Sequence, residues 1–202
     1  MNKDKNRIND DRDKNREVKD QILRAARSLF STHGYEGTTV RQICDEAGVS
    51  LALVSYHFGG KEKVFSALFD PIREILTNSH YDLSDSMNEL IRFCRVFVIF
   101  RHQQRELFNI MQHELLLRSP RLDTLTDVFL PTWEQLREIL KACAEQGHVE
   151  YRSLDMAINF VMGTLMFSLN NPFLNPSETD FSPEEAADLA IGYMLDGIRR
   201  RD

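Results

Sequence analysis

Apolar residues recur along this chain at spacings of three and four, with no strand-like alternation. Val18, Ile22, Ala25, Ala26, Leu29 and Phe30 begin the pattern. Leu90, Phe93, Phe97 and Phe100 repeat it, as do Leu107, Ile110, Met111 and Leu115, and then Leu125, Phe129, Trp133, Leu136 and Leu140. A period near 3.6 lines such residues up on one face of an α-helix, whereas a half-buried strand needs a period of two. The pattern predicts an all-α chain of about nine helices. Glycine, proline and hydroxyl residues punctuate it. His33-Gly34 closes the first helix, Thr38 or Thr39 caps a second that Gly48 ends, and Ser50 caps a short third that Gly59-Gly60 ends. The fourth helix starts at Lys61 and runs toward Leu76, and Pro71 should kink or break it. Ser119-Pro120 closes a later helix. Pro131 should kink the one that follows, from Arg121 to Gly147. The last two helices are Leu154 to Leu169, apolar almost all round, and Pro183 to Arg201, with a loop between them.

Charge divides the chain. Residues 1 to 15 hold five cations and four anions, residues 16 to 63 hold seven and six, and residues 64 to 202 hold thirteen and twenty-one, which together make the net −6. The acid sits in the C-terminal part, so any polyanionic partner is steered toward residues 1 to 63. The first fifteen residues lack apolar periodicity and have the composition of a disordered charged tail. A 202-residue chain has room for two unequal domains. The expected division is a tail over 1 to 15, a three-helix domain over 16 to 63, and a larger helical domain over 64 to 202. The longest apolar run, Val96 to Phe100, is five residues bracketed by Arg95 and Arg101, against the roughly 20 residues of a membrane span. The N-terminus is too charged for a secretory signal, so a cytoplasmic protein with no membrane partner is expected. Cys44, Cys94 and Cys143 are widely separated and lack metal-ligand spacing, which argues for reduced thiols, with no metal and no cofactor.

Two short helices joined by a turn at Gly48, braced by a preceding helix, form the plan of a helix-turn-helix, whose second helix enters the DNA major groove. That helix, SLALVSYHF, carries no Lys, no Arg and no fixed charge. Most protein contacts to DNA go to phosphate, and hydroxyls and backbone N–H groups can make them as well as cations. With Val54 and Phe58 taken as the inward face, Leu51, Ala52, Leu53, Tyr56 and His57 face outward, flanked by Ser50 and Ser55. Ser55, Tyr56 and His57 can donate to phosphate. Leu51, Ala52 and Leu53 cannot hydrogen-bond to bases, but they can pack on thymine methyls, the apolar marker of the major groove. The alternative is that Leu51 and Leu53 pack against neighbouring helices.

The stretch EGTTVRQICDEAGVSLALVSYHFGGKEKVF resembles the DNA-binding domain of the TetR family of bacterial transcriptional regulators. The resemblance lies in the GxTT entry, the AGVS turn, the aromatic pair ending in Phe58 and the Gly-Gly-Lys-Glu that follows, and it spans roughly residues 17 to 69. Beyond it the helical layout and the GHV of Gly147 to Val149 agree with the family. The resemblance implies a phosphate contact from Lys61 and a guanine contact from Arg41. Thr39 at the start of the second helix offers a hydroxyl and nearby N–H groups. The three apolar residues Leu51, Ala52 and Leu53 depart from the family's more polar pattern.

Residues 64 to 202 are then a ligand-binding and dimerisation domain. A one-helix reader contacts a half-site, so a homodimer on a pseudo-palindromic double-stranded operator is expected. The last two helices are its natural surface, through Leu154, Ile158, Val161, Leu165, Leu169, Leu189, Tyr193 and Met194. The resemblance implies a four-helix interface and a small-molecule inducer. Phe93, Phe97, Phe100, Phe108, Met111, Trp133, Met162 and Phe167 would line a pocket for an apolar or aromatic ligand, though such a stripe is also what a plain core requires. Arg92, Arg95 and Arg101 could hold a carboxylate or simply face solvent, and His102 and His113 could orient a ligand. No GxSxG, GxxxxGK[ST], HExxH or CxxC motif supports an enzyme. The expected function is a ligand-released repressor. Two alternatives remain, a ligand-independent helix-turn-helix regulator and a helical protein-binding adaptor.

Overall fold

A computed structural model of the chain describes residues 2–77, 80–167 and 181–196. Among these residues every regular element is helical: α1 (Asn2–His33), α2 (Val40–Ala47), α3 (Leu51–Phe58), α4 (Lys61–Ala67), α5 (Asp70–Thr77), α6 (Ser86–Gln103), α7 (Arg105–Leu117), α8 (Leu122–Glu145), α9 (Leu154–Phe167) and α10 (Pro183–Asp196), with a 3-10 turn at Leu83–Asp85. The fold is all-α, as the periodicity predicts. The expected fourth helix is two helices. The Leu68 N–H is shared between Val64 and Phe65 carbonyls and the Phe69 N–H reaches Ser66, so the last turn of α4 tightens. Helix α5 then restarts with Pro71 in its first turn, where no N–H is needed. Pro131 does not end α8, which continues through it. Helix α1 begins at Asn2, well upstream of Val18, where the apolar spacing starts; its residues Arg12–Arg16 are exposed and Ile22 is fully buried. No described helix is long and apolar enough to cross a membrane.

Two compact units emerge. The first takes the chain up to Glu74 together with Glu106–Val128, and the second takes Ile75–Arg105 and the chain from Phe129 onward. In the first unit α1 packs on α2 and α4, and α3 bridges α2 and α4. Ile22, Ala26, Phe30, Ile43, Val54, Val64 and Phe65 are its buried centre. Phe30 stacks on Tyr35 at 5.4 Å between ring centroids, and Phe65 meets both rings edge-on at 5.9 and 5.4 Å. Each fully buried Phe contributes about 1.5–3 kcal/mol, so this aromatic triad anchors the small helices that could not stand alone. In the second unit α6 lies against α9 and α10, which also touch each other. Small residues Ala187 and Ala190 let α10 approach closely, and Arg95 pairs with Asp188 at 2.5 Å. Cys44, Cys94 and Cys143 are buried and free, and burial pushes the Cys94 thiol up to about 12.

Candidate nucleic-acid interface

The interface is built from the helix ends of α2 and α3. Thr39 caps α2 reciprocally with Gln42: the Gln42 N–H donates to Thr39 Oγ1 at 3.3 Å, and the Thr39 N–H donates to Gln42 Oε1 at 2.8 Å. Thr38, the other candidate cap, is buried, and its hydroxyl donates to the Gly34 carbonyl at 2.9 Å. A side chain at Gly37 would place Cβ 2.3 Å from the His33 carbonyl oxygen, so the turn between α1 and α2 closes only on glycine. Gly48 ends α2 with φ 67°, a left-handed conformation that glycine adopts at no steric cost, and the Val49 N–H returns to the Cys44 carbonyl at 3.0 Å. Ser50 then caps α3, its Oγ accepting from the Leu53 N–H at 3.4 Å.

Only Val54 of α3 is buried. Leu51 is 51%, Leu53 36% and Tyr56 76% exposed, so Leu51 and Tyr56 stand open at the surface and Leu53 is partly covered. Ala52, Ser50 and Ser55 are exposed as well; His57 and Phe58 are half-buried. The Tyr56 and His57 rings meet edge-on at 5.0 Å. Thr39 and Arg41 are exposed at the start of α2. All ten expected DNA contacts therefore come from one capped pair of helices and the first residue of α4. Lys61 has another task. Its Nζ donates to the carbonyls of Tyr35 and Thr38, both at 2.9 Å, and lies 3.9 Å from the centre of the Tyr35 ring. It ties α4 to the turn that starts α2. Sequence reasoning missed Tyr35 in this role; the hydrogen bonds cross 23 and 26 residues, and no local spacing signals them.

The expected ligand set divides between the units. Phe93, Phe97 and Trp133 pack ring against ring in the second unit, Phe97 to Trp133 at 5.2 Å, and Tyr81 joins Phe93 at 5.8 Å. Phe100 and Met162 are half-buried in that unit. Phe108 and Met111 are buried in the first unit instead, because helical spacing within α7 does not say which unit α7 joins. Phe167 is 47% exposed on the outer face of α9. The three arginines of α6 have partners: Arg92 binds Glu89 and the His80 carbonyl, Arg95 binds Asp188, and Arg101 donates at 3.2 Å to the Leu165 carbonyl near the end of α9. His102 and His113 are exposed.

The expected dimer residues need correction. Ile158, Val161 and Leu165 are turned inward and are 5%, 6% and 0% exposed, so they serve the subunit's own core. A helix apolar almost all round gives no sequence signal for which face is inside. The outward apolar face of α9 is Met156, Phe160 and Phe167, with Asn159, Gly163 and Thr164 lining a shallow groove beside them. Leu189 and Tyr193 of α10 are exposed, Leu154 and Met194 are half-buried, and Leu169 lies outside the described residues.

Comparison with known proteins agrees with this geometry. Residues 22–68 match the family model of bacterial regulatory proteins of the tetR family. Over 48 residues the chain is 50% identical to the HTH-type transcriptional repressor AcnR of Corynebacterium efficiens, a match covering 24% of this chain and 26% of that protein. Over 165 residues it is 24% identical to the Bacillus subtilis protein named "Probable HTH-type transcriptional regulator YttP", covering 79% of this chain and 78% of that one. Among solved structures, the TetR-family regulator PfmR of Thermus thermophilus superposes with a TM-score of 0.69 at 25% identity, over 89% of this chain and 99% of that chain. The family model spans the capped turn, and the helical layout is shared over 89% of the chain. Residues 22–68 thus carry the DNA-binding domain of bacterial regulatory proteins of the tetR family, and the helices beyond it are laid out as in a solved regulator of that family.

Proposed function

We propose that this regulator is a repressor that binds a pseudo-palindromic operator as a homodimer and leaves it when a small, largely apolar or aromatic molecule binds. The observation that carries the DNA reading is the open surface of α3, on which Leu51, Ala52, Leu53, Ser55 and Tyr56 all face outward. With no cation on that helix, Leu51 and Ala52 read thymine methyls, Tyr56 and Ser55 donate to phosphate, and Arg41 reads a guanine. Selection of duplexes from a random pool identifies the operator. Replacing the thymines under the start of α3 by uracil removes only the methyl groups, and the expected result is weaker binding. Unchanged affinity would reject the methyl reading.

The exposed stripe of Met156, Phe160 and Phe167 supports the homodimer, since such a patch is costly to leave in water. The cluster of Tyr81, Phe93, Phe97 and Trp133 supports an aromatic-lined ligand site in the second unit. Its rings already pack on one another, which favours a second reading, a regulator that needs no inducer. A screen for small molecules that release the selected duplex separates the two.

A further inference from the structure

In the first unit, groups from three separate segments converge on the ring of Tyr35, in the turn between α1 and α2. The guanidinium of Arg121, at the corner between α7 and α8, lies 3.9 Å from the ring centre, the same distance as Lys61 Nζ. Arg121 Nε donates to Glu114 Oε2 at 2.9 Å, and Nη1 donates to Glu36 Oε1 at 2.9 Å, a bond spanning 85 residues. Glu114 is 2% exposed and also accepts from the Ser119 hydroxyl, whose oxygen accepts the Arg121 N–H at 3.1 Å. The corner is strained: Arg118 has φ 47°, which a residue with a Cβ holds only when its surroundings fix it. A buried ion pair adds little net stability, because desolvation offsets most of its attraction, but it fixes geometry.

From these contacts we propose that Arg121 is a positioning residue for operator binding. Its planar guanidinium clamps Tyr35 and Glu36. Tyr35 is the ring over which Lys61 sits, and Lys61 holds the Thr38 carbonyl beside Thr39, the cap of α2. The chain of contacts thus runs from the α7–α8 corner to the start of the helix pair that presents α3. Movement of that corner changes how α3 is held without any contact between the corner and DNA. The proposal rests on the operator-binding reading of α3.

The test uses the full chain and a duplex selected by the wild-type protein from a random pool. Two variants keep the fold. Glu114→Leu with Arg121→Met replaces the buried pair by apolar side chains and leaves no buried charge unpaired, since Glu36, which loses its partner, is exposed. Arg121→Lys keeps a cation but loses the flat fork that spans Glu114, Glu36 and the ring. Both are expected to melt cooperatively close to wild type, to bind the duplex at least tenfold more weakly, and to keep the wild-type dependence of affinity on salt. Amides of residues 38–43 should exchange with deuterium faster. Folded variants that bind as tightly as wild type overturn the clamp. So does a loss of affinity accompanied by a shallower salt dependence, which would make Arg121 a phosphate contact. A wild-type protein that retains no duplex overturns the operator reading itself.

Discussion

Lys61 shows how one side chain is assigned between two roles. A lysine ammonium has three donors, and here two of them are held by the Tyr35 and Thr38 carbonyls at 2.9 Å while the charge rests over an aromatic ring. Removing it leaves two carbonyl acceptors without that partner, so Lys61→Met is expected to destabilise the protein by about 2 kcal/mol, measured by urea unfolding. A lysine whose main task is phosphate binding would instead lower the salt slope of DNA binding by about one per head and leave stability unchanged. The capping residues around it were legible in the sequence because their partners are near. Thr39 with Gln42, Gly48 after α2 and Ser50 before α3 all act over four residues or fewer. Tyr35, Glu36 and Arg121 were not legible, since their bonds join segments far apart along the chain, and the Glu114–Arg121 pair spans a corner between two helices that no helical spacing signals.

At the scale of elements, the existence of helices was easier to read than the faces they bury. From Val18 onward the described helices follow a three-four apolar spacing or a cap already visible in the sequence, whereas the start of α1 at Asn2 had no such signal, and the break near Pro71 has a local cause. Helix α9 is the counter-example. Its sequence, LDMAINFVMGTLMF, is apolar on most sides, and only the neighbours α6 and α10 decide that Ile158, Val161 and Leu165 go inward. The two faces make opposite predictions. Phe160→Glu places a charge on the 62% exposed residue at the centre of the outward stripe; it should shift the sedimentation of the protein from dimer to monomer while leaving the subunit folded. Leu165→Ala, at 0% exposure, should cost about 2–5 kcal/mol of stability and leave the association constant of the folded chains nearly unchanged. The reverse pattern would return the dimer surface to the face expected from sequence.

For the molecule as a whole, the distribution of charge limits how DNA can be held. Residues 1 to 63 carry twelve cations and ten anions, whereas residues 64 to 202 carry thirteen and twenty-one, so phosphate attraction is confined to the N-terminal part and is modest even there. A weak electrostatic hold raises the share of specificity that direct base contacts must supply. On α2 and α3 the only guanidinium is Arg41, exposed and two residues past the Thr39 cap. If it lies along the phosphates, Arg41→Ala will weaken binding evenly across all duplexes and make the salt slope of a dimer shallower by about two. If it enters the groove and donates its fork to guanine O6 and N7, the loss is about 1–3 kcal/mol per half-site, falls only on duplexes with that guanine, and leaves the salt slope nearly unchanged. The second outcome is expected, because an apolar α3 can distinguish thymine by its methyl but has no group suited to a bidentate guanine contact. Binding titrations of Arg41→Ala on the selected duplex and on one with the guanine replaced, each at several salt concentrations, separate the two. Equal losses on both duplexes would place Arg41 on the phosphates and leave guanine unread by this helix pair.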